Sequence, residues 1–102
     1  VEGTFDTIAL ASVCPNTVGL LTAKLYPNQY EILKFFCKTV VLVLDSDEAG
    51  RKGTEVSEER FKNVIGVNIG YKDPSHCLST LGREGFKDYV TKKIINPIKF
   101  HF

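Results

Sequence analysis

The chain has 102 residues, of which 43% are hydrophobic and 25% are charged, and its formal net charge is +1. This length suits one domain with a single core, and the balanced charge excludes a broad basic surface, so any contact with nucleic acid must be local. Because the sequence shows no membrane-length apolar run, no signal peptide and no C-x-x-C pair among its three cysteines, we expect a cytoplasmic protein without membrane contact.

The hydrophobic pattern predicts alternating helices and strands. In chain order, we expect a helix over 5–13, a strand over 17–21, a helix from Pro27, a strand over 40–45, a helix over 49–62, a strand over 63–69 and a helix over 83–93. The strand over 40–45 is apolar up to Asp45, which is typical of a parallel strand covered on both faces. This order predicts an α/β fold with a parallel sheet and helices on its faces.

Two acidic residues, Asp45 and Asp47, end the strand over 40–45, at the sheet edge where such folds bind ligands. In an extended chain their side chains leave the same face about 6–7 Å apart. Two carboxylates at that distance repel each other unless they share a cation. The alternative is that one of them caps the next helix, where Glu48 would favour the helix dipole.

A third carboxylate favours the cation. Glu2 lies between Val1 and Gly3, which places it at the end of another strand, with Asp6 one turn into the following helix. If that strand neighbours the strand over 40–45, Glu2 comes within about 5 Å of Asp45. Carboxylate oxygens of this kind suit Mg²⁺ or Mn²⁺ and phosphate chemistry rather than zinc.

Three motifs occur in one order along the chain: VEGTFD at 1–6, DSDEAG at 45–50 and KDP at 72–74. They resemble the Toprim domain of bacterial-type DNA primases, type IA and type II topoisomerases, OLD-family nucleases and recombination-repair proteins of the RecR kind. The resemblance covers nearly the whole chain and is closest to the primases. In primases E-G-x-x-D opens the domain, D-x-D-x-A-G-R follows the third strand, and a D-P loop precedes a G-x-x-x-F helix, which here runs from Gly82 to Phe86.

The resemblance implies a Rossmann-like Toprim fold, with a parallel sheet of about four strands and helices on both faces. Residues 1–102 would form one Toprim domain, part of a longer protein, whose first strand is truncated at Val1. By position, Glu2, Asp45 and Asp47 match the family's catalytic, metal-binding carboxylates. Asp73 matches the loop aspartate that assists a second metal, and Asp6 matches a supporting residue. Arg51 and Lys52 begin the helix beside the pocket and are candidates for phosphate or nucleotide contact, the alternative being a solvated helix face.

The implied activity is that of a DNA primase, which makes RNA primers by two-metal nucleotidyl transfer with Mg²⁺ or Mn²⁺. The implied partners are nucleoside triphosphates, a single-stranded DNA template and a replicative helicase. Ser75 departs from the primase pattern, because many primases have a second aspartate there and serine is a poorer cation ligand. Since a primase needs further parts, we expect no primase activity from this chain alone. The alternatives are an OLD-like nuclease and a non-catalytic module that binds DNA or partner proteins.

Overall fold

The computed structural model describes residues 1–96, which form a mixed α/β structure with a two-stranded sheet. In chain order the elements are α1 (Thr4–Ala11), α2 (Pro27–Phe36), β1 (Val40–Leu42), α3 (Glu48–Arg60), β2 (Val64–Gly66), α4 (Pro74–Val90) and a π-helical turn (Thr91–Ile95). The expected domain runs to residue 102, so its last six residues lie outside the described part. Among residues 1–96, no helix combines the length and apolar content that a membrane crossing requires.

The sheet is a parallel pair joined by α3, as the sequence predicts. Val40 pairs with Val64 and Leu42 pairs with Gly66. Both strands are shorter than the predicted ranges of 40–45 and 63–69, because the chain after Leu42 no longer pairs with β2. The N–H of Asp45 donates to the Glu2 carboxylate, and the N–H of Ser46 donates to the carbonyl of Lys72. The chain has therefore left the sheet before its acidic residues begin at Asp45.

The prediction of about four strands is not met within residues 1–96. The segment 17–21 does lie beside the start of the chain, since Leu20 and Leu21 donate backbone hydrogen bonds of 2.8 Å to the carbonyls of Val1 and Glu2. Those two residues are too few to form a strand with it. A largely apolar groove of about 340 Å³, lined by Val1, Val18 and Val41 among others, lies between this pair and β1, so the sheet does not continue across it.

The helices follow the predicted pattern, with one change of boundary. α2 begins at Pro27 as expected, and α1 and α3 lie within two residues of their predicted ends. The last helix begins at Pro74 instead of residue 83, because Asp73 caps it and proline fits the first helical turn. Gly82, with φ of 74°, kinks this helix, so the predicted G-x-x-x-F helix is its second half.

Apolar side chains pack on both sides of β1 and of the two residues that follow it. Val43 belongs to a core cluster with Ile69, Phe86 and Val90, whereas Leu42 and Leu44 belong to a second cluster with Leu25, Val64 and others. This alternation is the one expected for successive residues of an extended chain. The burial of residues 42–44 fixes the position of the next residue, Asp45, at the end of the core.

Candidate metal centre

Three aspartates from distant parts of the chain meet beyond the end of β1. Asp6 lies in the first turn of α1, Asp45 follows β1, and Asp73 is the N-cap of α4. One carboxylate oxygen from each lies within 4.8 Å of those of the other two. Contact between α1 and α4 brings Asp6 and Asp73 together. The packing of the helices thus concentrates negative charge beside the strand end.

Asp45 is the member of this group whose charge is least compensated. Its Oδ1 atom is buried and has no hydrogen-bond partner within residues 1–96. Burial, followed by the charges of Glu2, Asp6, Asp73 and Asp47, raises the pKa of Asp45 from 3.8 to about 6. At neutral pH this side chain therefore carries a negative charge that the described protein groups do not balance, which is the setting in which a carboxylate binds a cation.

Asp6 and Asp73 are held by donors from the start of α4. Asp6 is only 6% exposed, and its Oδ1 accepts a hydrogen bond of 3.0 Å from the N–H of Ser75. Asp73 Oδ1 accepts from the N–H of His76 at 2.8 Å and from the hydroxyl of Ser75 at 2.9 Å. Burial raises the pKa of Asp73. Its hydrogen bonds with His76, Ser75 and Asp6 and the charge of Lys72 outweigh burial and hold this pKa below its usual value.

Glu2 lies next to this group, as the sequence predicts. Its Oε2 accepts a hydrogen bond of 3.4 Å from the N–H of Asp45. Its negative charge is also the largest electrostatic contribution to the raised pKa of Asp45. Glu2 is outside the set of three whose oxygens converge, so it borders the centre rather than forming its middle.

Asp47 is placed differently from the metal-ligand prediction. It is exposed, and its Oδ1 accepts a hydrogen bond of 2.8 Å from the N–H of Gly50, which makes it the N-cap of α3. The two interpretations of the acidic pair therefore apply to different residues, since Asp47 caps the helix and Asp45 faces the cluster. The predicted metal set of Glu2, Asp45, Asp47 and Asp73 differs from the converging set, in which Asp6 takes the place of Glu2 and Asp47.

Arg51 and Lys52, the predicted phosphate contacts, are both exposed in the first turns of α3. Arg51 lines a groove of about 210 Å³ that also includes Asp45 and Ser46, whereas Lys52 is not among the residues that line it. Arg51 therefore shares a groove with Asp45, although Glu55 and Glu58 line it as well. The geometry gives Lys52 no comparable position.

Two residues matter to the site more than the sequence indicates. A Cβ atom at Gly50 would lie 2.0 Å from the carbonyl oxygen of Asp45, so the start of α3 can pack against the Asp45 backbone only if residue 50 is glycine. Ser75, which the sequence marks only as a weak ligand, donates to both Asp6 and Asp73. The A-G of the motif at 45–50 was the available signal for Gly50; no sequence signal shows that Ser75 contacts Asp6.

The residues present fit a divalent cation. Their donor atoms are all carboxylate oxygens, and Oδ1 of Asp45 is buried without a hydrogen-bond partner among residues 1–96. Hard oxygen donors of this type suit Mg²⁺ and Mn²⁺. A family model described as Toprim-like matches residues 1–78, a range that includes Glu2 and all three converging aspartates. Searches of curated proteins and of solved structures give no match.

Proposed function

Because this chain belongs to the Toprim-like family, we propose that it is the Mg²⁺-dependent catalytic domain of a DNA primase, which contributes nucleotidyl transfer to RNA primer synthesis. Toprim domains bind divalent metals and occur in nucleotidyltransferases and in nucleases, so family membership supports metal-dependent chemistry on nucleic acid. The narrower primase assignment rests on the resemblance of the motifs at 1–6, 45–51 and 72–74 to those of primases. Its partners would be nucleoside triphosphates, single-stranded DNA and a replicative helicase.

The observation that carries this proposal is the buried, unpartnered Oδ1 of Asp45 beside Asp6 and Asp73. Leaving a buried polar atom unsatisfied costs about 1–3 kcal/mol, and more for a charged group. A cation shared with Asp6 and Asp73 would remove this cost and would also relieve the repulsion among the three carboxylates. The metal-free arrangement is thus organised for a ligand that residues 1–96 do not supply.

Each residue would have a distinct role. Asp6, Asp45 and Asp73 would hold the cation, and Glu2, beside Asp45, would accept the proton of the attacking hydroxyl. Arg51 would orient a phosphate in the adjoining groove. A bound Mg²⁺ would stabilise the negative charge that develops on the phosphoryl oxygens during transfer.

The first test is an Mn²⁺ titration of the 102-residue chain, followed through paramagnetic broadening of backbone amide signals. We expect the signals of Glu2, Asp6, Asp45 and Asp73 to broaden first, and we expect Asp45→Asn to shift this broadening to higher Mn²⁺ concentration. Exchange of a distant exposed aspartate, Asp88→Asn, is the matched control. No selective broadening at millimolar Mn²⁺ would contradict the metal centre and favour the non-catalytic module.

One observation favours the nuclease as a second candidate. Ser75 stands where many primases have a second aspartate, so the loop departs from the pattern on which the narrower primase assignment rests. Primer synthesis on single-stranded DNA and nicking of supercoiled plasmid, both measured with Mn²⁺ and with Asp45→Asn as the control, separate the two. Primer synthesis supports the primase, and nicking alone supports the nuclease. Metal binding with neither activity in this chain or in a longer protein containing it supports the binding module.

A further inference from the structure

We propose that Ser75 is a positioning residue: it engages one carboxylate oxygen of Asp6 and one of Asp73, so that each presents a single oxygen to the cation. The proposal rests on the proposed function and concerns the selectivity of the same centre. Its consequence is a site that prefers Mg²⁺ and Mn²⁺ to Ca²⁺.

Ser75 contacts both aspartates through different groups. Its backbone N–H donates to Asp6 Oδ1 at 3.0 Å, and its hydroxyl donates to Asp73 Oδ1 at 2.9 Å. The same Asp73 oxygen accepts from the N–H of His76 at 2.8 Å. Ser75 is half-buried at the start of α4, directly after Pro74, so its backbone is fixed by the helix. One residue therefore joins the carboxylate of α1 to the carboxylate that caps α4.

These hydrogen bonds determine how each carboxylate can bind. One oxygen of Asp6 and one of Asp73 already accept from the protein, which opposes bidentate coordination by either residue. Asp45 contributes a buried oxygen with no partner in the described chain. Three single oxygens suit the octahedral coordination of Mg²⁺, in which water or substrate oxygens complete the shell. Ca²⁺ takes six to eight ligands and often binds a carboxylate through both oxygens, so it would gain less here.

The hydroxyl supplies the second hydrogen bond to Asp73 Oδ1, beside that from the His76 N–H, and an aspartate at position 75 could not replace it. An ionised carboxylate only accepts hydrogen bonds, so it would add repulsion to Asp6 and Asp73 instead of donating to Asp73. The serine that departs from the primase pattern therefore changes the chemistry of the loop, from an added cation ligand to a donor that orients the existing ligands.

A matched pair of variants tests the hydroxyl alone. Ser75→Thr and Ser75→Val have nearly the same shape, both keep the backbone N–H that donates to Asp6, and only threonine keeps the hydroxyl. We would measure Mn²⁺ dissociation constants from the electron paramagnetic resonance signal of free Mn²⁺, and Ca²⁺ constants by competition. Loss of an outer hydrogen bond to a metal ligand typically weakens binding about 10–100-fold. We expect Ser75→Thr to stay within about twofold of the natural chain, and Ser75→Val to bind Mn²⁺ about tenfold more weakly with a smaller preference over Ca²⁺.

Thermal unfolding in EDTA would be recorded for each variant, and Ser75→Ala would replace Ser75→Val if the valine variant did not fold. Equal Mn²⁺ affinities for the threonine and valine variants would overturn the proposal. So would an equal loss for Mn²⁺ and Ca²⁺, because the hydroxyl would then not control how the oxygens are presented. Absence of Mn²⁺ binding by the natural chain would overturn the metal centre itself, a result distinct from either of these.

Discussion

Replacing Asp45 with asparagine should stabilise the metal-free protein at neutral pH. The pKa of Asp45 is raised from 3.8 to about 6, and each pH unit corresponds to about 1.4 kcal/mol, so the full shift is equivalent to about 3 kcal/mol. Solvent screening of this half-buried group reduces the expected effect to about 1–2 kcal/mol. Asparagine keeps the shape of the side chain but removes the charge. With about 4–8 °C per kcal/mol for a domain of this size, the unfolding midpoint should rise by about 4–16 °C.

The direction of the Asp45 pKa shift determines how the effect of this residue on stability changes with pH. A raised pKa means that the folded state binds more protons than the unfolded state between about pH 4 and pH 6. The contribution of Asp45 to the stability of the natural chain is therefore fully present below pH 3.8, falls as the pH rises, and is lost above about pH 6. The advantage of Asp45→Asn should accordingly be largest at pH 7.5 and vanish near pH 4.

Urea unfolding in EDTA at pH 7.5 and pH 4 measures both quantities. Adding Mn²⁺ at pH 7.5 should reverse the order, because binding stabilises the natural chain more than the variant. Asp88→Asn, at an exposed position of α4, should change stability by less than about 0.5 kcal/mol at either pH. If Asp45→Asn proved less stable than the natural chain in EDTA at pH 7.5, the carboxylate would have a structural role, and the argument from its uncompensated charge would be wrong.

Three further predictions concern the start of α3. Asp47→Ala should lower the free energy of unfolding in urea by about 1 kcal/mol, whereas Asp47→Asn, which can still cap the helix, should be nearly neutral. Equal losses would show that the hydrogen bond from the Gly50 N–H does not provide this stability. Gly50→Ala should cost about 3 kcal/mol or more, because its Cβ would overlap the Asp45 carbonyl oxygen, whereas Gly85→Ala meets only the Leu81 side chain at 3.2 Å and should change stability little. Arg51→Ala should weaken Mn²⁺-dependent nucleotide binding about fivefold in calorimetry, or about 1 kcal/mol, and Lys52→Ala less than twofold; equal effects would contradict the groove assignment.

The sequence predicted the parts of the fold that depend on local pattern. The apolar run before Asp45 indicated a strand buried on both faces, and the helical segment after it indicated a parallel crossover; the structure has both. Residues 17–21 do not form the strand that the sequence predicted. Their composition is suitable, but a strand needs a partner of several residues, and the described chain offers them only Val1 and Glu2. Local pattern contains no information about the length of the neighbouring segment.

Local sequence patterns also could not predict that Asp6 and Asp73 lie close together. The motifs marked both residues, yet their contact depends on how α1 packs against α4 and on where α4 begins. The sequence placed the last helix too late, at residue 83, so the loop aspartate was not recognised as a helix cap. Moving the helix start to Pro74 places Ser75 in the first turn, and this is what directs its N–H and its hydroxyl to the two carboxylates.

The different roles of Asp45 and Asp47 follow from the point at which the chain stops being extended. Side chains two residues apart share a face only while the strand continues. Here the N–H of Ser46 bonds to the carbonyl of Lys72, and α3 begins at Glu48, so the Asp47 side chain turns to the N–H of Gly50. Asp47 thereby gains a donor and the favourable end of a helix dipole, whereas Oδ1 of Asp45 has no hydrogen-bond partner in the described part of the chain. Asp45 therefore lies among the converging carboxylates and Asp47 at the cap of α3, although the sequence presents them as equivalent.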